Sequence, residues 1–254
     1  MSLISTMRDL HRRKARERRG LTLAEGVRLV EEALAAGVRL RGAAVAPALE
    51  GTPRGAALKS RLEAQAVPVE VVSDADLATL ADTEHPQGVV AVIEPAAWTL
   101  DQVALDPRAV VLVLDGVQDP GNVGAVARAA LGLGAAGLVT LTGTADLTSP
   151  KALRGSMGAL FRLPAVSATP EEFLAWAGRH QLPLWAAAMD GEPLRAVRRD
   201  GPVALLLGNE GAGLRPELLA AAARTVSIPL AGGVESLNVA VAAGIFLYEV
   251  TGER

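Results

Sequence analysis

Cysteine is absent from the 254 residues of this chain. Its absence excludes disulfide bonds, thiol nucleophiles and cysteine-ligated metal sites. The three histidines, His11, His85 and His180, lie too far apart in sequence to form a local metal-binding motif. The chain also lacks an apolar run long enough to cross a bilayer, and its basic start lacks the apolar centre of a secretion signal. We therefore expect a cytoplasmic protein without a membrane span or a structural metal.

Asparagine is nearly as rare as cysteine, because the chain contains only Asn122, Asn209 and Asn238. Each of the three comes shortly after a predicted strand. Asparagine is common in turns and helix caps, so a purely structural role stays open for any one of them. A purely structural role is harder to assign to all three of them.

Acidic residues slightly outnumber basic ones, and the formal net charge of −3 is unlike that of a general nucleic-acid coat protein. Positive charge is nevertheless concentrated in a basic leader, residues 1–20, where positions 8–19 hold seven Lys and Arg against Asp9 and Glu17. Two interpretations stay open for this leader: a solvated, frayed helix or tail, or an arm that contacts RNA phosphates. The candidate RNA-binding residues are its arginines Arg12, Arg13, Arg16, Arg18 and Arg19.

Residues 21–94 alternate between helical and strand patterns in short units, which predicts a small α/β domain. Helices are predicted at 25–36, 55–66 and 74–80, the last capped by Ser73, and strands at 43–46, 67–72 and 88–93. His85 lies in the polar loop before the last strand, where a lone histidine beside proline is more often structural or solvated than functional. The segment 95–107 is predicted to be a loosely packed linker between domains.

Residues 108–254 form a second predicted α/β domain. The unbroken apolar run at 109–114 is typical of a strand that is buried on both faces. Helical patterns, including one at 123–132, lie between most of the further predicted strands, at 138–141, 184–188, 203–207 and 225–228. This alternation predicts a parallel sheet with helices on both of its faces.

One glycine pattern in the second domain imitates a nucleotide site. Gly132, Gly134 and Gly137 have the spacing of the dinucleotide-binding fingerprint, which requires the order strand, glycine loop, helix. Here the glycines follow a helix and precede a strand. We interpret them as a helix stop and a tight turn, and reject a dinucleotide-binding site.

Three other stretches carry polar residues that a buried environment would not tolerate without partners. Arg128 is the one charge in its apolar helix and needs an anion such as phosphate, unless it reaches solvent at the helix surface. Glu210 lies among three glycines that let the backbone approach a ligand closely. After Ile228 a Gly-Gly loop leads to an apolar helix, for which Ser236 is the predicted N-cap and Asn238 is an interior polar residue that needs partners.

Together the three stretches resemble the motifs of the SpoU (TrmH-like) RNA ribose 2′-O-methyltransferases of the SPOUT superfamily. The motifs are N-x-G-x-x-x-R at 122–128, L-x-G-x-E-x-x-G-L at 206–214 and I-P-x-x-G-x-x-x-S-L-N-V-x-V-A at 228–242. The stretch that begins at Arg154 also looks familial, whereas Leu230 and Ala240 depart from the commoner Met and Ser. The resemblance implies a trefoil-knotted catalytic domain, S-adenosylmethionine as cofactor and a homodimer.

The first domain resembles the small, ribosomal-protein-like substrate domain of the ribosomal RNA members, which favours ribosomal RNA as substrate. Three alternatives stay open at this point: a transfer RNA methyltransferase, a non-catalytic RNA-binding protein of the same fold, and an enzyme that uses a different nucleotide. The intact motif residues disfavour the second alternative, and the reversed glycine fingerprint disfavours the third.

The resemblance also implies roles for single residues. For Arg128 it implies activation of the ribose hydroxyl. Because a guanidinium scarcely deprotonates, we interpret Arg128 instead as the cation that holds RNA phosphate and stabilises the developing alkoxide. Asn122 would fix its loop or the ribose, and Glu210 would orient Arg128 or Asn238, or accept the proton. The cofactor-binding residues would be Leu207, Gly208, Ile228, Ser236, Leu237 and Asn238, the first three and Leu237 through groups of the backbone.

Overall fold

The computed structural model describes residues 2–234 and 236–252, which belong to two compact units. The first unit comprises the chain up to Ala96 together with Thr148–Phe161, and the second comprises Ala97–Leu147 and the chain from Arg162 onward. Within the described residues, every helix is too short or too polar to span a bilayer.

The first unit has a four-stranded mixed sheet. In chain order its elements are α1 (Leu3–Leu10), α2 (Arg13–Arg19), β1 (Thr22–Glu25), α3 (Val27–Ala35), β2 (Arg39–Val45), α4 (Pro53–Ala64), β3 (Val69–Val71), α5 (Asp74–Leu80) and β4 (Val89–Glu94). The strand order is β1-β4-β2-β3, with β4 antiparallel to β1 and β2, and β3 parallel to β2. Ser73 caps α5 as predicted, by accepting a bond from the N–H of Asp76 at 3.0 Å. The small α/β domain is confirmed, but the four-residue edge strand β1 was not predicted.

The basic leader is part of this unit, and its interpretation as a frayed tail is wrong. Met7 and Leu10 of α1 are completely buried in a core that they share with residues of the sheet and of α5. The leader therefore folds because its apolar positions leave water, while most of its charged residues, with the exception of the buried Arg16, occupy the outer surface of the two helices.

The remaining elements follow in chain order, and all of them except α7 belong to the second unit. They are β5 (Val110–Leu114), α6 (Pro120–Gly132), β6 (Gly137–Leu141), α7 (Pro150–Ser156), β7 (Ala165–Ala168), α8 (Pro170–Arg179), β8 (Leu184–Pro193), β9 (Val203–Leu207), α9 (Pro216–Ala221), β10 (Arg224–Ser227) and α10 (Val239–Thr251). Six strands form a parallel sheet in the order β10-β8-β9-β5-β6-β7. The predicted parallel sheet is confirmed, and β5 is buried along its whole length. The glycine pattern is also confirmed as a helix stop, because α6 ends at Gly132 and Gly134 adopts a positive φ of 78°.

One segment between β6 and β7, within the second predicted domain, packs with the first unit. Helix α7, within Thr148–Phe161, belongs to the first unit. Arg154 of α7 donates to Glu25 Oε2 of β1 at 2.9 Å and to Asp82 Oδ2 at 2.6 Å. Glu25 is buried, so its carboxylate requires a cation and donors, and Arg154 supplies the cation. A pairing across 129 residues leaves no local pattern in the sequence.

The boundary between the two units, after Ala96, falls within the predicted linker at 95–107, but the loose packing predicted for that segment is wrong. Val103 is buried in the main core of the second unit, and Trp98, Leu100 and Leu105 pack against that core. A short 3₁₀ helix, Leu100–Gln102, is held by a capping box in which Thr99 and Gln102 bond to each other's backbone. The segment is therefore an ordered start of the second unit.

Candidate active site

The site begins at the carboxyl end of β5. Helix α6 starts there because Asp119 caps it, accepting a bond from the backbone N–H of Asn122 at 3.0 Å, while Pro120 occupies the first turn. The cap places Asn122 in the first turn of α6, half-buried. In parallel sheets, ligands bind at this edge, beyond the carboxyl ends of the strands.

Asn209 organises the loop that follows β9. Its Oδ1 accepts bonds from the backbone N–H groups of Gly211 and Ala212, both at 2.9 Å. Its Nδ2 donates to the carbonyl of Gly116, also at 2.9 Å, which ties this loop to the one after β5. The exposed Glu210 is thereby held in a tight asparagine turn. No site role was predicted for Asn209, although its rarity in the chain was a usable signal.

The same loop is closed on itself and anchored at its end. A side chain at Gly208 would bring Cβ within 2.2 Å of the carbonyl carbon of Gly213, so only glycine fits there. Arg215 follows the loop and bonds both oxygens of the buried Asp115, with its backbone N–H at 2.9 Å and its Nε at 2.8 Å. These contacts fix the loop relative to the end of β5.

Asn238 caps α10 and thereby corrects the predicted cap. The helix begins at Val239, and Asn238 Oδ1 accepts a bond from the N–H of Ala240 at 3.0 Å. Ser236 lies two residues before the cap, so its predicted role as N-cap is wrong. Both residue types cap helices well, and the carboxamide of the later one also has a partner elsewhere in the chain.

That partner is Asn122, and it brings the three motifs together. Asn238 Nδ2 donates to Asn122 Oδ1 at 3.0 Å. Asn122 Nδ2 in turn donates to Glu210 Oε1 at 2.9 Å. The carboxamide oxygen of Asn122 thus accepts from the motif that contains Asn238, and its nitrogen donates to the motif that contains Glu210. We call Asn122, Glu210 and Asn238 the polar triad.

The polar triad has spare capacity for hydrogen bonding. A carboxylate has about four acceptor positions, and among the described residues Glu210 uses one of them, for Asn122. The side chains are at least partly open to solvent. The arrangement can therefore orient a hydroxyl group of a ligand and accept its proton.

A cleft of about 540 Å³ adjoins the polar triad, and Glu210 is part of its wall. This volume lies in the usual range for cofactor sites. The predicted cofactor-binding residues Leu207, Gly208, Ile228, Ser236 and Leu237 all line it, whereas Asn238 lies between two lining residues and contributes through the triad. The structure therefore brings together the residues that the last two motifs supply.

One wall of the cleft was not predicted. The pairing between β8 and β10 matches Thr225 with Ala186 and then Val226 with Glu192, so residues 187–191 of β8 bulge out of register. Ala187, Ala188 and Met189 of this bulge line the cleft. Register shifts depend on tertiary pairing, so sequence periodicity gave no sign of the bulge.

The cleft offers both apolar surface and free backbone groups. Leu219, Val239 and Phe246 contribute apolar side chains to its lining. The backbone groups of Ile228 and Leu237 form no hydrogen bond with any residue that the structure describes. Polar backbone groups of this kind seek partners, so the cleft suits a ligand that combines an apolar part with hydrogen-bonding edges.

Arg128 lies on α6, six residues after Asn122, and does not join the polar triad. Its side chain is exposed and makes no hydrogen bond or ion pair within residues 2–234 and 236–252. The predicted contact between Glu210 and Arg128 is therefore absent from the described part of the chain, and Glu210 bonds Asn122 instead. The Arg128 guanidinium is available to an external anion.

The leader arginines divide into two groups. Arg16 is buried and donates from Nη1 to the carbonyls of Leu10 at 3.0 Å and His11 at 2.9 Å, so its predicted role as a phosphate contact is wrong. Asp9 forms ion pairs with the outward-facing Arg12, Arg18 and Arg19 at 3.2, 3.1 and 3.0 Å, and Arg13 pairs with Glu17 at 2.7 Å.

The ion pairs with arginine change the pKa of Asp9. The hydrogen bond from Arg19, aided by the charges of Arg19, Arg12 and Arg18, holds the pKa of Asp9 below its ordinary value. Three arginines share this one carboxylate, which leaves the surface of α1 and α2 locally positive.

Comparison with known proteins finds a matching family for each of two segments of the chain. Residues 109–248 match the SpoU rRNA Methylase family, and residues 2–91 match the MRM3-like substrate binding domain. The chain is 32% identical over 250 residues to the 23S rRNA (guanosine(2553)-2′-O)-methyltransferase RlmP of Bacillus subtilis, with 98% of this chain and 96% of that protein covered. It is 34% identical over 206 residues to the 23S rRNA (guanosine-2′-O-)-methyltransferase RlmB of Coxiella burnetii, covering 78% and 82% of the two chains.

A solved structure supports this similarity. The SpoU methyltransferase AviRb from Streptomyces viridochromogenes, in complex with the cofactor AdoMet, superimposes with a TM-score of 0.88 at 32% identity. The superposition covers 100% of this chain and 98% of AviRb.

Proposed function

Because this chain belongs to the SpoU rRNA methylase family and is an S-adenosylmethionine-dependent RNA ribose 2′-O-methyltransferase, we propose that the polar triad and its adjoining cleft are the active site. One observation carries this proposal: Glu210 both lines the cleft and bonds Asn122 of the first motif. A group of this kind can act on a hydroxyl brought beside a bound cofactor.

The substrate is ribosomal RNA. The relatives named above methylate 23S ribosomal RNA at ribose 2′-hydroxyls, and they match this chain through both units. This favours ribosomal RNA over transfer RNA, and catalysis over simple RNA binding. We propose in addition that the enzyme acts in the cytoplasm, where it meets this substrate.

S-adenosylmethionine fits the cleft on physical grounds. The apolar walls suit the adenine and ribose faces, and the free backbone groups of Ile228 and Leu237 suit the polar edges. Leu207 and Gly208 would supply backbone contacts, with Ser236 and Asn238 shaping the floor. When bound, the cofactor supplies a methyl group on a sulfonium.

The chain's own residues would prepare the RNA hydroxyl. A ribose 2′-hydroxyl is a poor nucleophile until its proton is drawn away, and the site holds no histidine to take that proton. Glu210 would accept it, and its bond from Asn122, which itself accepts a bond from Asn238, supports this role. Arg128 would hold the RNA phosphate and stabilise the developing alkoxide through its guanidinium, which has no partner among the described residues.

We also propose a homodimer and a trefoil knot in the second unit. Helices α6 and α10 pack closely together, and the apolar Leu131, Val241 and Tyr248 on these helices are exposed. Exposed apolar side chains on adjacent helices are typical of a subunit interface. The knot is proposed because the chain belongs to this family. The loop after β9 and the segment before α10 both line the cleft, which supports the proposal.

The activity is tested by incubating the protein with labelled S-adenosylmethionine and purified ribosomal RNA. A 2′-O-methylated position resists alkaline cleavage, so the label should appear in an alkali-resistant dinucleotide. Label in an alkali-sensitive product would contradict ribose methylation, and no transfer to ribosomal RNA beside transfer to transfer RNA would contradict the substrate.

A further inference from the structure

We infer that a groove at the start of α3, within the first unit, receives a single-stranded segment of the RNA substrate. This inference rests on the proposed activity toward RNA and adds the place where the RNA is held. We call it the α3 groove, and its main residues are Arg28, His85, Gln87, Arg154 and Met157. It is a cleft of about 570 Å³, and a second cleft of about 470 Å³ continues from it past Arg28 and Gln87.

The groove is prebuilt by one buried carboxylate. Glu25 accepts bonds from the backbone N–H groups of Asp82 and Thr83 at 2.9 and 3.2 Å, and from the Thr83 hydroxyl. It also accepts a bond from Nη1 of Arg154, and Nη2 of the same guanidinium donates to Asp82. The same group therefore holds the 82–88 loop and α7, the two walls of the groove. A rigid groove loses little conformational freedom on binding.

Arg28 provides the charge for a phosphate. It lies in the first turn of α3, is exposed, and has no hydrogen bond or ion pair among the described residues. Arg154, by contrast, is engaged by two carboxylates, and Arg54 in the continuing cleft is paired with Glu31 at 2.5 Å. A free guanidinium at the positive end of a helix binds a phosphate well.

The rest of the groove suits an unstacked base. RNA is read chiefly in single-stranded segments, where bases stack on histidine or on guanidinium planes and bond through their edges. His85 is exposed on one wall, and Arg154 is held in place on the other. Leu29 and Met157 add apolar surface, and Gln87 is fixed because its Oε1 accepts from the N–H of Val27 at 3.1 Å.

The groove also unites the two family segments found in this chain. Arg28, His85 and Gln87 lie within the match to the substrate binding domain, whereas Arg154 and Met157 lie within the match to the methylase family. The methylase segment therefore contributes directly to a groove of the first unit. Neither match by itself identifies this site.

The test compares Arg28→Gln and His85→Ala with Arg61→Gln, which changes an exposed arginine of α4 outside the groove. Affinity for an unmodified transcript of 23S ribosomal RNA is measured across salt concentrations with the full chain. Arg28→Gln should weaken binding about tenfold and lower the salt slope by roughly one. His85→Ala should weaken binding several-fold without changing the slope, because stacking involves no counterion release.

The control Arg61→Gln should behave like the parent, and all variants should bind S-adenosylmethionine equally in calorimetry. If Arg28→Gln matches Arg61→Gln in affinity and slope while the parent methylates the transcript, the groove is wrong and the proposed function stands. If the parent binds the transcript through Arg28 without transferring methyl groups to any ribosomal RNA, the groove stands and the proposed function is wrong.

Discussion

The carboxamide nitrogen of Asn122 lies 2.9 Å from a carboxylate oxygen of Glu210, although 88 residues separate the two in sequence. Asn122 completes this contact by accepting from Asn238 at 3.0 Å. A carboxamide donates from its nitrogen and accepts at its oxygen in a fixed planar geometry, so Asn122 can link the two groups. The chain retains few asparagines, and two of them form this relay.

The relay predicts the effect of Asn122→Asp. The substitution keeps the acceptor for Asn238 but replaces the donor to Glu210 by a second carboxylate, and like charges at this separation repel. We expect the rate of methyl transfer at neutral pH to fall on the order of 10²-fold, while calorimetric affinity for S-adenosylmethionine stays near the parental value. Single-turnover methylation measures the rate, and a near-parental rate would remove Asn122 from the mechanism.

The buried carboxylate of the first unit predicts a stability effect. Glu25→Gln presents an amide N–H₂ to a site built from four donors, so at least one donor loses its partner. We expect a loss of about 2 kcal/mol, or roughly 4–8 °C in Tm. Glu31→Gln is the matched control, because Glu31 pairs with the exposed Arg54 and should cost less than about 1 kcal/mol. Equal melting temperatures for the two variants would show that Arg154 does not depend on Glu25.

The members of the proposed active site were predictable because they occur in short motifs that their own chemistry marks. Glu210 lies among glycines, and Arg128 is a lone charge in an apolar helix. The contacts between them were not predictable. Glu210 was expected to orient Arg128 or Asn238, and it bonds Asn122, a choice that depends on how the loops after β5 and β9 approach each other.

The errors in the fold have the same origin. The packing of Arg154 with the first unit was not predicted, because its partner Glu25 lies 129 residues away, beyond any local periodicity. Ser236 and Asn238 are both suitable caps, and the contact with Asn122 accompanies the choice of the second. Strands such as β5 were found because burial on both faces leaves a continuous apolar run in the sequence itself.

The leader predicts two separable effects. If the outward arginines contact RNA phosphates, replacing Arg12, Arg13 and Arg18 together by Gln should weaken RNA binding and lower the salt slope by about two. Arg16→Gln should instead lower Tm, because the carbonyls of Leu10 and His11 lose their donor, and should leave the salt slope unchanged. An unaltered salt slope in the triple variant would mean that these arginines are solvated at the surface and do not contact RNA phosphates.

Asp9 predicts a pH dependence in the same region. Its pKa is lowered in the folded protein, so the stability that it contributes is fully present above the unfolded pKa and is lost as the pH falls through the folded pKa. Asp9→Asn should therefore lower Tm at neutral pH, and the difference from the parent should shrink under acidic conditions. Melting curves from neutral to strongly acidic pH test this, and a constant difference would contradict the assignment.

The last prediction separates cofactor binding from chemistry at Arg128. The guanidinium is exposed and has no partner among the described residues, so removing it should not disturb the packing of α6. Alanine also suits a helix at least as well as arginine. We therefore expect Arg128→Ala to keep the parental Tm and the parental affinity for S-adenosylmethionine. Methyl transfer should nevertheless fall by about 10²-fold or more, the usual effect of losing one electrostatic contact in the transition state.

The conservative variant Arg128→Lys sharpens the test. A lysine keeps the charge but cannot reproduce the planar fork that binds phosphate through two bonds, so it should restore little of the rate. Asn238→Ala provides the contrast, because it removes the cap of α10 beside the cleft and should weaken cofactor binding as well as the rate. Single-turnover methylation and calorimetry are measured for each variant. If Arg128→Ala methylates ribosomal RNA at the parental rate, its guanidinium only reaches solvent, and Glu210 must act without it.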